Sequence, residues 1–425
     1  MTREPRTDRH RGASFLSDLV WNYASFAVVA GCGLVINLVI AVGYDAAALG
    51  RFNVALAVFI IGSQLGIGAV QYSVLHHVSS AREHGEDVSI IVVSGSILAT
   101  IGGVVVGGVI IALSPWLAAL FDSPRLEPAL LLVGLAIPFF CLNKTLLAGL
   151  NALLRMRAYA IAQTIRALVL VSSIVVSTLT ASPAEQLTIA FLVSEITLFA
   201  FLGFAYRESS VRAFTIMPKW FRKHLRFSVR GYLTGVLAEA NTRVDVLVLG
   251  YFASDHLVGL YSFAAMFAEG FYQLLVVVKA RVNPLLATIT QLELRRLLRR
   301  TMLIIYPVGA FVAVVIFAVV WVGVHFEIPR AGYKESLPIL AILLALFWTI
   351  SAYVPFDAIL NQRGKPGWQS TYHVVVVLSN VVLNVWLIPS FGMAGAAIAT
   401  GASYIIGVAF IRRCARTQTG FVLAP

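Results

Sequence analysis

Long apolar stretches alternate with short polar ones along the whole chain. Twelve can be read: Leu19 to Val42, Phe52 to Val74, Val88 to Leu113, Pro128 to Leu150, Tyr159 to Leu179, Leu187 to Tyr206, Gly231 to Phe252, Val258 to Lys279, Met302 to Val324, Ser336 to Leu360, Thr371 to Pro389 and Met393 to Ile411. Each is close to the ~20 residues that a helix rising 1.5 Å per residue needs to cross ~30 Å of hydrocarbon. Lipid offers no partner for unpaired backbone groups, and nothing alternates with period two as barrel strands would. The pattern therefore predicts an all-α integral membrane protein of about 12 transmembrane helices.

The polar gaps add an orientation. Arg3, Arg6, Arg9 and Arg11 precede the first span. Alternate gaps then hold Arg82; Arg155 and Arg157; Arg207, Arg212, Lys219, Arg222, Lys223 and Arg226; Lys279, Arg281, Arg295, Arg296, Arg299 and Arg300; and Arg363 and Lys365, with Arg412, Arg413 and Arg416 after the last span. The other gaps hold only Arg125, Arg330 and Lys334, with Arg51 at the edge of the second span. By the positive-inside rule both termini are expected in the cytoplasm, with the chain in the plasma membrane.

Composition changes this picture little. With 59% hydrophobic and 12% charged residues, the chain has no room for a conventional soluble domain. The net charge of +12 sits at loop edges, which points to topology and membrane lipids and away from nucleic acid. Cys32, Cys141 and Cys414 lie in or beside apolar spans, so no disulfide framework is expected. Val29-Ala30-Gly31-Cys32 has the form of a lipoprotein cleavage box, but the residues after it stay apolar, and a retained first helix is predicted.

The sequence also repeats itself. Leu49-Gly50-Arg51-Phe52 at the second span is echoed by Val258-Gly259-Leu260-Tyr261 at the eighth, and Asn151 with Arg155 by Asn361 with Lys365. The offset is about half the chain, so two six-helix lobes of common orientation are expected, 1–206 and 227–425, joined by a basic cytoplasmic linker, 207–226. A second basic piece, 291–300, carries Leu294, Leu297 and Leu298 and reads as a short amphipathic helix on the inner leaflet.

Polar residues inside spans carry the candidate chemistry. Asn53, Gln64 and Gln71 in the second span fall on one stripe at 100° per residue, and Gln369, His373, Asn380 and Asn384 do the same in the eleventh. Such amides either join helices or line a cavity. Lys144, Arg166, Glu195, Glu239, Arg243, Asp245 and Glu269 also lie within spans, where an unpaired charge costs at least ~2.5 kcal/mol. Glu239 and Arg243, four apart, are placed to pair on one helix face, and Asn241 and Asp245 on the other. Buried ion pairs that hold the bundle are one reading of these charges. The other is a wet cavity in which Lys144, Arg166 and Arg243, with Gln64 and Asn380, take an anion such as a pyrophosphate, while Glu239, Asp245, Glu269 or Glu195 carries a coupling cation or proton.

Several activities lack their residues. No phosphate-binding P-loop is present, since Gly364-Lys365-Pro366 has neither the spacing nor the hydroxyl. No D-x-D pair or large outer loop offers a glycosyltransferase face, so no enzyme activity, catalytic residue or cofactor is expected. His76, His77 and His84 read as interfacial histidines and not as a metal site. Gly102, Gly103, Gly107 and Gly108 have the small-xxx-small spacing of close helix packing.

Asn241-Thr-Arg-Val-Asp-Val-Leu-Val-Leu-Gly250 followed by Val258-Gly-Leu-Tyr-Ser262, together with Leu150-Asn-Ala-Leu-Leu-Arg-Met-Arg-Ala-Tyr159, Asn380-Val-Val-Leu-Asn-Val-Trp-Leu-Ile-Pro389 and Gly392-Met-Ala-Gly-Ala-Ala-Ile-Ala-Thr400, resembles the polysaccharide flippases of the multidrug/oligosaccharidyl-lipid/polysaccharide (MOP) exporter superfamily. The resemblance implies twelve helices in two lobes around a central cavity. It also implies export of polyprenyl-pyrophosphate-linked oligosaccharide by alternating access, driven by H+, Na+ or the membrane potential, beside polysaccharide polymerases and glycosyltransferases. Lipid II flippases and cation-coupled drug or metabolite antiporters of the same superfamily are the alternatives.

Overall fold

The computed structural model describes residues 7–84, 88–207, 218–329 and 332–423. The helices in chain order are α1 (Thr7–Gly43), α2 (Ala46–Ile67), α3 (Val70–Glu83), α4 (Ser89–Leu120), α5 (Glu127–Ala152), α6 (Met156–Leu179), α7 (Ile189–Arg207), α8 (Pro218–Ala240), α9 (Val244–Phe252), α10 (Asp255–Val282), α11 (Gln291–His325), α12 (Ser336–Ile350), α13 (Ile359–Gln362) and α14 (Pro366–Cys414). Only short 3-10 and π turns accompany them among the described residues.

Ten stretches of this fold are long and apolar enough to cross a membrane. The last of them holds two spans, because the backbone of α14 turns at Gly392, with φ 54° and ψ −131°. The remaining span is divided between α8 and α9. Twelve crossings are thus accounted for, as the apolar pattern predicts. Of the basic residues that set the expected orientation, Arg3, Arg6, Arg212 and Arg330 fall outside the described residues, as does 208–217 of the expected linker.

Three spans are not the continuous helices that the pattern suggests. The second breaks at Gly68 and Ala69, both with positive φ, so Gln71 belongs to α3 and leaves the stripe of Asn53 and Gln64. The seventh breaks at Asn241-Thr242-Arg243, which removes the four-residue geometry between Glu239 and Arg243. The tenth ends at Ile350 and reaches α13 through a 3-10 turn, Val354–Phe356, that contains Pro355. Hydrophobicity marks where the chain lies in the membrane, but a polar residue that finds a tertiary partner can interrupt the helix without interrupting the apolar run.

The chain forms two compact units. Unit 1 comprises Met1–Ile36, Gly62–Ser114 and Pro128–Gly235; unit 2 comprises Asn37–Ile61, Pro115–Glu127 and Val236–Pro425. In unit 1, α4 packs by its glycines. A Cβ on Gly102 would lie 2.1 Å from the Gly66 carbonyl oxygen, and one on Gly107 would lie 2.3 Å from that of Gly134 on α5. Three of the four expected packing glycines thus seat against neighbours, while Gly108 faces open space.

In unit 2 the two copies of the repeated glycine motif meet. A Cβ on Gly50 would lie 1.9 Å from the Asp255 oxygen, and one on Gly259 would lie 1.8 Å from the Ala46 oxygen, so α2 and α10 cross backbone to backbone. The second repeated motif builds the same turn twice. Arg155 N–H donates to Leu150 O at 2.9 Å and Lys365 N–H to Leu360 O at 2.8 Å. Leu154 and Gly364 hold the left-handed position, with φ 56° and 71°.

The segment 291–300 differs from its expected role. It forms the first turns of α11, opened by a Thr290–Glu293 capping box, and is continuous with the ninth span. Leu294 and Leu298 are fully buried in a core with Leu286, Phe356, Ile359 and Leu423. These leucines serve protein packing, while the arginines stay exposed together with Leu292 and Glu293.

Candidate functional site

Two groups of intramembrane charge stand out, one in each unit. In unit 1, Asn143 on α5 is fully buried and its amide donates to both the main-chain oxygen and Oε2 of Glu195 on α7, each at 2.8 Å. Glu195 Oε1 lies 3.8 Å from Arg166 Nη1 on α6. The Arg166 guanidinium sits 5.6 Å from the centroid of the Phe140 ring, and Lys144 Nζ sits 5.4 Å from the same ring. Phe140 and Lys144 are one helical turn apart on α5, so the contact is local. The negative ring face offsets part of the cost of placing two cations together. Glu195 is almost fully covered, whereas the Arg166 side chain keeps 25% of its surface. Two bases and an acid thus meet around Phe140, with Arg166 on the more open side.

In unit 2 the break between α8 and α9 organises the charges. Asp245, in the first turn of α9, is favoured there by the helix dipole. Its carboxylate accepts from Tyr261 O–H on α10, from its neighbour Val246 N–H at 2.9 Å and from Thr400 O–H on α14 at 3.4 Å. Arg243 caps α9 and reaches Glu269 on α10 at 3.3 Å. Asn241 in the break donates to Tyr404 Oη at 3.4 Å and accepts from the Asn380 amide at 3.4 Å, while Asn384 donates to Asn380 Oδ1 at 2.6 Å. Here one base stands with two acids, and the Glu269 side chain is 45% exposed.

Residues 96–324, more than half of the chain, match the family described as polysaccharide biosynthesis protein. The chain belongs to that family. Among its relatives, the probable flippase AglR of Haloferax volcanii is 25% identical over 182 residues, covering 42% of this chain and 38% of that protein. The match therefore spans well under half of that relative. The fold is similar to the lipid II flippase MurJ in an inward closed conformation, with a TM-score of 0.75, 18% identity, and 94% and 88% of the two chains covered. It is also similar to an inward-facing multidrug resistance MATE family transporter of the MOP superfamily, with a TM-score of 0.69, 14% identity, and coverage of 90% and 93%. This family member is thus a multi-pass membrane protein with the MOP transporter fold, and its structural neighbours are transporters and not enzymes.

Against this family fold, the sequence-predicted residues divide cleanly. Lys144, Arg166 and Glu195 come together in unit 1; Arg243, Asp245, Glu269 and Asn380 come together in unit 2. Arg243 pairs with Glu269 and not with Glu239, whose main-chain oxygen instead accepts from Thr242 at 2.7 Å in the break. Gln64 is buried near the end of α2, its carbonyl accepting from Gly68 where that helix stops. The apolar spans supply more neutralising acids than the pattern suggests, since both Arg166 and Arg243 have carboxylate partners.

Sequence reasoning missed Asn143, Phe140, Tyr261, Thr400 and Tyr404. Phe140 had a signal, its four-residue spacing from Lys144, but a tyrosine or threonine in an apolar span gives none. It also missed the pair Lys279–Asp357 at 2.8 Å. Lys279 reads as a loop-edge charge, and Asp357 sits in the unwound end of the tenth span, where Gln369 donates to its main-chain oxygen at 3.0 Å.

Proposed function

We propose that this chain is a flippase that moves polyprenyl-pyrophosphate-linked oligosaccharide from the inner to the outer leaflet of the plasma membrane for cell-surface polysaccharide assembly. The observation that carries this reading is the convergence of two cations on one aromatic ring in unit 1. Lys144 and Arg166 share the Phe140 ring, and beside the covered Glu195 the Arg166 side chain keeps 25% of its surface. A pyrophosphate is the lipid-borne group whose charge such a site complements. Family membership supports the polysaccharide connection.

In this reading two six-helix lobes, 1–206 and 227–425, rock about a central cavity, with the basic linker 207–226 and both termini on the cytoplasmic side. Unit 2 takes the coupling ion, H+ or Na+, at Asp245 or Glu269, or the membrane potential drives the anionic substrate directly. No bond of the substrate is broken, so the chain works as a transporter and not as an enzyme. Polysaccharide polymerases and glycosyltransferases would stand before and after it.

Complementation of a polysaccharide-flippase null strain tests this, scoring surface polymer and lipid-linked intermediate together. Wild type should restore polymer and clear the intermediate, and Lys144→Ala or Arg166→Ala should do neither at equal membrane abundance. Full export by both variants would remove unit 1 from the substrate path. The acid excess around half-exposed Glu269 favours one other reading, a cation-coupled drug or metabolite antiporter. Resistance to cationic compounds that rises on expression and is lost in Glu269→Gln would establish it instead.

A further inference from the structure

The first half of α8, before the seventh span begins at Gly231, has three distinct faces. One is fixed inside unit 1. His224 is fully buried, bonded through Nδ1 to Ser73 Oγ on α3 at 2.8 Å and through Nε2 to the Ile91 carbonyl on α4 at 3.0 Å. Phe227 stacks on His76 at 5.6 Å, and Trp220 meets His77 edge-on at 5.4 Å. At 100° per residue these positions fall within an arc of about 60° on the helix.

The other two faces look outward. Phe221, Leu225 and Val229 recur every four residues along one edge, Leu225 with 47% and Val229 with 69% of its surface open. Beside that edge, Lys219, Arg222, Lys223 and Arg226 are all exposed and fill the remaining arc. Lys223 Nζ lies 4.0 Å from the Trp220 ring, which ties the arc to the anchored face.

An apolar edge next to a basic arc is what an interfacial helix presents to a bilayer, apolar side to the acyl boundary and cations to the headgroups. A solvated helix face has no use for the open Val229. The anchored face removes rotation, so the arc cannot turn away from the leaflet. We propose that the first half of α8 binds anionic phospholipid headgroups of the cytoplasmic leaflet, with acyl chains against Leu225 and Val229. The inference rests on the positive-inside orientation and not on the identity of the transported substrate.

The test uses full-length protein in phosphatidylcholine nanodiscs into which phosphatidylglycerol is titrated. Wild type should melt higher as phosphatidylglycerol rises, and high salt should erase the increase. Lys219→Gln/Arg222→Gln/Arg226→Gln, which leaves Lys223 and the anchored face intact, should melt as wild type in phosphatidylcholine. Its apparent affinity for phosphatidylglycerol should be weaker on the order of a hundredfold.

A fluorophore on Val229→Cys in the otherwise native chain should be quenched by brominated lipid, an independent reading that survives if the triple variant fails to fold. An unchanged phosphatidylglycerol response in the triple variant would place lipid binding elsewhere and overturn the proposal. An unquenched fluorophore would do the same. A rise reproduced in pure phosphatidylcholine by inorganic pyrophosphate would make the arc a small-anion site and not a leaflet contact, and would also overturn it.

Discussion

Unit 1 and unit 2 each gather intramembrane charge beside a buried asparagine, yet in different arrangements. In the first, Lys144 and Arg166 stand over one ring beside Glu195; in the second, Asp245 and Glu269 flank Arg243. Their scaffolds differ too. The unit 1 charges project from three unbroken helices, α5, α6 and α7, whereas those of unit 2 surround the break at Asn241-Thr242-Arg243. Pre-organised cations on rigid helices suit an anion that must be recognised. Acids at a helix break, hydrogen-bonded by Tyr261 and Thr400, suit a small cation whose arrival can change local geometry. The comparison teaches that the scaffold holding the charges, more than any single residue, distinguishes the two groups.

The strongest way to break this comparison is Arg166→Gln. It leaves Glu195 buried beside Asn143 without its cation, and loss of one partner of a buried pair costs about 3–5 kcal/mol. Export should vanish and the melting temperature in detergent should fall. Arg166→Gln/Glu195→Gln should recover most of the stability and none of the export. If the double variant exports normally, the pair is scaffold and Lys144 alone carries the anion.

Asp245→Asn examines the other side. It places an amide against three donors, Tyr261, Thr400 and Val246 N–H, and removes the charge. Export should drop by about tenfold or more, equivalent to ~1.4 kcal/mol, and lose its dependence on Na+ or on a pH gradient. Binding of a pyrophosphate lipid, measured at equilibrium, should hold. Loss of binding together with coupling would merge the two sites into one.

His224 separates the units by pH. Its burial among α3, α4 and α8 pushes its pKa down to about 4, against 6.5 when exposed. The unfolded chain therefore binds a proton that the folded chain refuses, so stability is complete above pH ~6.5 and declines as pH falls towards 4. The full contribution is about 3 kcal/mol. Melting followed by a probe in unit 1 should show this slope, and His224→Gln should flatten it. An equal slope in the variant would assign the acid sensitivity to carboxylates.

Much of this fold was legible in the sequence, and the reason is physical. Lipid forces every crossing to be an apolar helix, so the spans and the glycine contacts at Gly102 and Gly107 follow from the pattern and spacing of residues. The breaks do not. Arg243 reads as four residues from Glu239 on an unbroken helix, and only the presence of Glu269 on α10 and Tyr404 on α14 explains why the chain interrupts itself there. The leucines of 291–300 are ambiguous in the same way, since a lipid surface and a protein core ask for the same periodicity. Clustered polar residues were legible where charge is costly, as at Lys144, Arg166 and Asp245, and invisible where the partner is a neutral Tyr261, Thr400 or Phe140.

Phe140→Leu sharpens the unit 1 account on a smaller scale. It keeps an apolar side chain on α5 but removes the ring shared by Lys144 and Arg166, a contact worth ~0.5–2 kcal/mol per cation. Affinity for a pyrophosphate lipid should weaken several-fold with little change in melting. An unaltered affinity would mean that the ring serves packing only.

The smallest effect lies at the two repeated turns, where the halves of the chain can be compared directly. Leu154 and Gly364 occupy the same left-handed position, closed by the same pair of backbone hydrogen bonds. For a residue with a Cβ that conformation costs about 1–2 kcal/mol, which glycine avoids. Leu154→Gly should therefore raise the melting temperature slightly, because Leu154 keeps 58% of its surface exposed and little packing is lost. Gly364→Leu should lower it by a comparable amount, with open space around the new Cβ leaving backbone strain as the only penalty. Opposite signs at the two sites would show that the repeat is preserved in backbone geometry even where the residue at its key position has diverged.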